Sequence, residues 1–460
     1  MKIYLSFFIG AFIIFGFAGC AENANTIYCT EGDAPVTSLR PAREPVLIDD
    51  DLISIPAPAA EPLPLQRPGA VNPPMQTIAT GANDFAFRLS AMIAENTGNE
   101  SFVFSPYSVW LPLAALLNAT VYEERDALLE ALGASGVTVE DINRAASRML
   151  FDLTNERERE FAAEFGFDFH NPLSIANAVF VDNNVTLRGD FADNFMNYFR
   201  GTAMNVDFTS PDAVTAINQW ASEHTEGLIT EVVQEFDPDT IAAIANAIYF
   251  SDRWSWEFDP DETAEGIFHA PTGDVTADFM LREGDMLMYF EDESLQAIQL
   301  DFTNAGGMII LLPKCGDATG LMATKTNERF LEIANGLAAS SGKLLLPRFS
   351  IETMHDGLAD LLKDIGVPLF DSASAPLTGG LIYDNIPVWL SSAVQKTVIE
   401  VDEEGTTAAA VTVMAMAGSA LPEPTTHFEM ICDTPFAFVL FRWTFDGGRQ
   451  VLFTGVVNQP

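Results

Sequence analysis

Glu403-Glu404-Gly405-Thr406-Thr407-Ala408-Ala409-Ala410-Val411-Thr412-Val413 runs on into Met414-Ala415-Met416-Ala417-Gly418-Ser419-Ala420-Leu421. The seventeen residues 405 to 421 hold neither a charge nor a proline, and Pro422 and Pro424 then interrupt the run. At the two-residue period of a strand, Thr406, Ala408, Ala410 and Thr412 share one face and are small enough to enter a packed sheet. Their neighbours Thr407, Val411 and Val413 also suit a strand. An ordinary loop is polar and rich in turn residues, whereas an ordinary strand is more uniformly hydrophobic. This segment is equally comfortable exposed or buried. A flexible alanine-rich linker is the other reading of the same composition.

The flanking chain reads as a folded domain. From about Ile78 the pattern becomes globular, and Asn83-Asp84-Phe85-Ala86-Phe87-Arg88-Leu89 predicts the opening of an amphipathic helix capped by Asn83. Ser105-Pro106 predicts a second helix start, with Pro106 in the first turn where its missing N–H costs nothing. Apolar runs at Ala243 to Phe250, Met308 to Leu312, Lys343 to Leu346, Phe436 to Phe441 and Val451 to Val457 read as strands. Helices mixed with strands outside a βαβ rhythm predict an α+β domain, and no short-period repeat suggests a solenoid or propeller.

Ahead of that domain lie two segments of different character. Lys2 precedes an apolar run from Ile3 to Phe17, which ends in Phe17-Ala18-Gly19-Cys20. The run is short for a spanning helix and reads as an export signal over residues 1–20. Small residues before a cysteine resemble the lipobox of bacterial lipoproteins, in which the Cys20 thiol is acylated. An ordinary cleaved signal with an incidental cysteine is the alternative. Residues 21–77 read as a tether: ten of the chain's 26 prolines lie between Pro35 and Pro74. Proline fixes φ and removes a donor, so such a stretch favours extended conformations. The folded domain is thus expected over 78–460.

Composition excludes several functions. Against 23 Lys and Arg stand 65 Asp and Glu in 460 residues, a formal charge of −42. Phosphate binding depends on basic side chains, so neither nucleic acid nor an anionic lipid surface is expected as a partner. Four cysteines form no disulfide framework, and none sit at zinc-ligand spacing. No nucleophile elbow, metalloprotease helix, P-loop or dinucleotide fingerprint occurs. The five histidines are scattered. His427 and Cys432 lie five apart, but a loop histidine near a buried cysteine accounts for them. Asp402-Glu403-Glu404 reads as a solvated turn. No catalytic residue, metal or cofactor is expected.

The 403–421 segment resembles the hinge and reactive-centre loop of the serpins, and further motifs extend that resemblance over residues 78 to 460. Phe104-Ser105-Pro106-Tyr107-Ser108 matches the family's helix start. Asn218-x-Trp220 with Thr225-x-Gly227-x-Ile229 matches a second block, and Ala245-Asn246-Ala247-Ile248-Tyr249-Phe250 with Trp254 and Phe258 a third. Leu346-Pro347-Arg348-Phe349, Pro435-Phe436-Ala437-Phe438 and Phe453-Thr454-Gly455-Val456-Val457-Asn458 complete the series in order.

The resemblance implies an α+β serpin fold with three β-sheets, about eight or nine helices and an exposed loop. It implies an inhibitor rather than an enzyme, which a serine protease, or a cysteine protease, cleaves as substrate. The cut loop then inserts as a new strand in the large sheet. The implied hinge is Glu403, Glu404, Gly405, Thr406, Thr407, Ala408, Ala409 and Ala410. The implied gate is Ser105, Ser108, Asn246, Trp254 and Gln395, where Gln395 stands at a place at which family members often carry histidine. The family's hinge spacing puts the reactive bond at Ser419–Ala420, with Met416–Ala417 as runner-up. Small or unbranched residues there imply elastase-like or subtilisin-like targets. The expected form is a monomer that forms a covalent complex with its protease, outside the cytoplasm, either lipid-anchored or secreted. The alternative is a non-inhibitory serpin acting as a surface binding protein.

Overall fold

The computed structural model describes residues 8–18, 73–120, 122–166, 172–237, 239–304, 306–371, 376–383, 388–404, 427–444 and 447–460. In chain order the first elements are β1 (Phe8–Ala18), α1 (Pro73–Thr97), β2 (Phe102–Phe104), α2 (Pro106–Leu116), α3 (Tyr122–Ala131), α4 (Val139–Leu153) and α5 (Glu156–Phe165). There follow β3 (Leu173–Val181), β4 (Thr186–Leu187), α6 (Gly189–Phe199), β5 (Gly201–Asn205), α7 (Pro211–His224), β6 (Thr240–Phe250), β7 (Ala264–Ala270), β8 (Gly273–Glu291), β9 (Leu295–Asp301) and β10 (Gly307–Pro313). The last are α8 (Ala318–Ala323), α9 (Asn327–Gly336), β11 (Ala338–Pro347), β12 (Phe349–His355), α10 (Leu358–Asp364), β13 (Leu381–Ile382), β14 (Trp389–Val401), β15 (His427–Ile431), β16 (Phe436–Trp443) and β17 (Arg449–Val457).

Three sheets organise these strands, as expected. The largest has nine, running β15-β11-β8-β9-β10-β16-β17-β2 with β7 on β8; a six-stranded sheet runs β12-β14-β1-β6-β3-β5; β13 and β4 form a two-stranded pair. Two hydrophobic cores follow from this layering. The main one lies between the two large sheets and their helices, and a smaller one lies under α7, where Ile217 and Trp220 meet Phe180 and Ala243.

Helix α2 sits at the centre of the main core. All its residues are buried, so it is apolar on every side rather than amphipathic. Ser105 caps it and Pro106 opens it, as the sequence predicts. Asn218 explains its own motif: its Oδ1 accepts from the amides of Val232 and Val233 at 2.9 and 3.2 Å, while Nδ2 donates to Val233 O at 2.7 Å. Thr225 Oγ1 likewise accepts from Ile229 N at 3.1 Å, and Gly227 supplies the left-handed φ of 81° that closes the turn between them.

One expectation needs correction. Asn83 is not a cap: α1 begins at Pro73, and Asn83 lies within it, clamping β17 through Arg449 O at 2.7 Å and Val451 N at 3.0 Å. Prolines at a helix's first positions are tolerated, so the proline-rich run concealed its start. The apolar head of the chain, residues 8–18, forms a central strand of the six-stranded sheet. A strand buried on both faces reads as a continuous apolar run, which is also how an export signal reads.

Candidate functional site

The candidate site is the C-terminal half of β14 and what surrounds it. β14 ends at Val401, and Asp402, Glu403 and Glu404 lead from it toward residue 405. The expected solvated turn is instead an anchored one, since Asp402 and Glu403 are buried. Trp254, stacked on Phe302 at 4.7 Å, donates its indole N–H to Asp402 O at 3.0 Å. The Phe258 amide donates to Glu403 O at 2.9 Å, and the Trp254 amide to Glu404 O at 3.3 Å. Arg348 and the Thr263 hydroxyl both donate to the Glu403 carboxylate. Burial opposes ionisation of Glu403, but these donors outweigh it and hold the carboxyl below the usual glutamate range.

A second cluster lies farther down the same strand. The Gln395 side chain straddles the Ser105 backbone: Oε1 accepts from Ser105 N and Nε2 donates to Ser105 O, both at 2.9 Å. Thr397 Oγ1 donates to the same Oε1 at 3.1 Å. Ser105 Oγ donates to Leu452 O at 2.9 Å and reaches Ser108 Oγ at 3.1 Å, tying α2 to β17. Asn246, on β6, donates through Nδ2 to Asn177 Oδ1 at 2.9 Å. Ser105, Ser108, Asn246 and Gln395 are wholly buried.

Gln395 and Asn246 stand at the same level, each opposite Ile13 of β1. The structure does not gather the five residues expected as a gate into one place. Trp254 belongs to the anchor at the end of β14, and the other four lie where α2 meets the strands. Gly405 to Ala410 and both candidate bonds, Ser419–Ala420 and Met416–Ala417, lie outside the described residues, as does Cys20.

One residue of the site was missed. His355, at the end of β12, pairs directly with Gln395 and therefore places a titratable ring beside the position where the resemblance expects a histidine. Its Nε2 is 3.1 Å from Val103 O, and its ring meets Phe104 edge-on at 5.3 Å. Burial holds its pKa below the ordinary histidine value. The signal was available in principle, because Phe349, Ile351, Thr353 and His355 follow strand alternation out of the Leu346-Pro347-Arg348-Phe349 motif.

The pair His427 and Cys432 shows no activated thiol. His427 is exposed at the start of β15, while Cys432 is fully buried and burial pushes its thiol pKa up, the reverse of what a nucleophile needs. Among the described residues, no cluster of three or more His, Cys, Asp or Glu could hold a metal ion, and no helix is long and apolar enough to cross a membrane.

Residues 80–460 match the family model described as Serpin (serine protease inhibitor). Alpha-1-antitrypsin 1-4 of Mus musculus is 28% identical over 394 residues, spanning 85% of this chain and 90% of the mouse protein. Among solved structures, native tengpin, a thermophilic serpin, superposes with a TM-score of 0.71 at 21% identity, over 87% of this chain and 97% of its own. Human glycosylated kallistatin gives 0.68 at 23% identity, over 85% and 99%.

Proposed function

The chain belongs to the serpin family, and from that premise we propose that it is a suicide-substrate inhibitor of serine endopeptidases, with cysteine endopeptidases as secondary targets. One observation carries the reading: β14 ends in an anchored stem that feeds the uncharged run 405–421, beside a lane in the six-stranded sheet that accepts a strand antiparallel to β14.

The chemistry is that of an ordinary proteolytic acylation interrupted halfway. The protease's serine oxygen attacks the carbonyl carbon of Ser419, an ester forms, the Ser419–Ala420 bond breaks, and the new amine of Ala420 leaves with a proton. Fifteen residues from Gly405 to Ser419, at ~3.3 Å each, span ~50 Å as a strand, enough to traverse the domain. Insertion then carries the acylated protease across the molecule before water can hydrolyse the ester. Speed decides the outcome, and a hinge of Thr406 and Ala408 to Ala410 buries no charge and no large side chain. Those residues favour inhibition over the non-inhibitory alternative.

The proposed setting is outside the cytoplasm of a bacterium. Processing before Cys20, acylation of its thiol and the proline-rich segment ahead of α1 would hold a monomeric domain off the membrane surface.

Incubation of the chain from residue 20 onward with elastase-like, subtilisin-like and trypsin-like proteases tests the reading. Adducts that survive SDS, at close to one inhibitor per protease, are expected. Loop cleavage with no adduct for any protease overturns it in favour of a binding protein.

A further inference from the structure

The apolar head of the chain occupies the lane that the loop needs. β1 is hydrogen-bonded to β6 on one side and β14 on the other, antiparallel to both, along Phe8–Ala18. A chain that leaves β14 at Val401, turns through 402–404 and runs back beside it is also antiparallel to it. Such a chain has one edge of β14 to use, because the other is taken by β12. Loop and β1 therefore compete for a single position.

The fit of β1 in that lane is close. Ala11, Phe12, Ile13 and Phe15 are wholly buried and Ile14 nearly so. Ala11, Ile13 and Phe15 enter the main core; Phe12 and Ile14 enter the smaller one, with the Phe12 ring 5.7 Å from that of Trp220. At Gly16 a Cβ would stand 2.6 Å from Ser392 Oγ, so a side chain there fits only when that exposed hydroxyl turns aside. Occupation also has a cost: Asn246 Oδ1 is buried without a hydrogen-bond partner, and Ile13 separates it from Gln395. With β1 gone, β6 and β14 run parallel to each other. Closure to the ~4.8 Å strand spacing then brings Asn246 and Gln395 side by side.

We infer that residues 8–18 fill the lane between β6 and β14 in any chain that retains them. The unprocessed chain then carries a completed sheet and cannot insert its loop, whereas a chain beginning at Cys20 has the lane open. The consequence for inhibition rests on the inhibitory reading above; the occupancy does not.

The test compares three full-length chains made without export, so that the head stays attached: the parent, Ile13→Asp and Phe12→Asp. Aspartate at 13 would bury a carboxylate between Asn246 and Gln395, and aspartate at 12 would bury one against the Trp220 ring. Amide hydrogen exchange of residues 9–17 reads occupancy directly. Protection in the parent and its loss in either variant support the inference; equally free exchange in all three overturns it. Adduct formation with an elastase-like protease reads the consequence. If the lane is filled in ~99 of 100 parent chains, the parent reacts about 100-fold more slowly than the variants. A parent that reacts as fast as both variants overturns the blockade. If the chain from residue 20 forms no adduct either, the inhibitory reading has failed, and exchange alone decides the occupancy.

Discussion

The Arg348 guanidinium grips the Glu403 carboxylate, with Nε 2.9 Å from both Oε1 and Oε2 and one terminal nitrogen 2.7 Å from Oε1. The contact is asymmetric, because the Glu403 side chain is 5% exposed and that of Arg348 44%. Removing the arginine therefore strands a buried carboxylate at the junction of β14 and the loop. Arg348→Met should destabilise the protein by about 2 kcal/mol, less than the ~3–5 kcal/mol of a wholly buried pair. The effect should depend on pH. A carboxyl held below its usual value contributes stability above that value and loses it as pH falls through the lower, folded one. Urea midpoints at pH 7 and pH 3 should differ more in the parent than in Arg348→Met.

His355 predicts a second loss of stability on acidification, at higher pH than that of Glu403. Its folded pKa is lowered by burial, so between the ordinary histidine value of ~6.5 and the lower folded value the unfolded chain binds more protons. Stability should be full above that ordinary value and decline as pH falls below it, until the folded ring protonates too. Asp356, the neighbouring charge, opposes part of the shift. His355→Gln should flatten the decline. Thermal midpoints taken in half-unit steps from pH 7.5 to 5 check this, and parallel curves for the two proteins would contradict it.

These two residues also mark how far the sequence could be read. Short motifs pointed to side chains with definite local work: Ser105 as cap and clamp, Asn218 as a turn holder, Trp254 as the donor to Asp402. What sequence alone could not show was pairing across the sheet. His355 sits beside Gln395 only through strand register, which no local pattern encodes. Glu403 lay in an acidic run that looks solvated, and only Arg348, 55 residues earlier in the chain, makes its burial tolerable. The strand at residues 8–18 was hidden for another reason. A strand apolar on both faces has no periodicity with which to announce itself.

Anchoring through Cys20 has its own test. Cys20→Ser removes the thiol that acylation requires while leaving the preceding Phe17-Ala18-Gly19 unchanged. The variant should leave the membrane fraction or remain unprocessed. Unchanged size and unchanged fractionation would show that the cysteine is incidental.

Hinge chemistry separates inhibitor from substrate. In a chain that starts at Cys20, Thr406→Arg places a charge where insertion would have to bury it unpaired, at a cost of several kcal/mol. The loop should still be cut at its normal rate, but covalent adducts should become a minor product. Equal inhibition by the variant and its parent, measured as inhibitor consumed per protease inactivated, would show that insertion past residue 406 is not required.

The reactive bond sets which proteases are caught. Ser419–Ala420 follows from the family's hinge spacing, counted fourteen residues on from Gly405, with Met416–Ala417 as the other candidate. The side chains around both bonds are small or unbranched: Met416, Ala417, Gly418, Ser419. A trypsin-like pocket holds an acidic residue and wants Lys or Arg, and none occurs between Lys396 and Arg442. Small or permissive apolar pockets accept these residues without leaving a buried charge unpaired, which is the stronger kind of discrimination. Elastase-like and subtilisin-like enzymes should therefore form adducts quickly, while trypsin should not. Mass spectrometry of the small C-terminal fragment released with the adduct should find a new N-terminus at Ala420. A fragment beginning at Ala417 would move the bond to the runner-up, and rapid stoichiometric capture of trypsin, with elastase and subtilisin left free, would contradict the specificity argument.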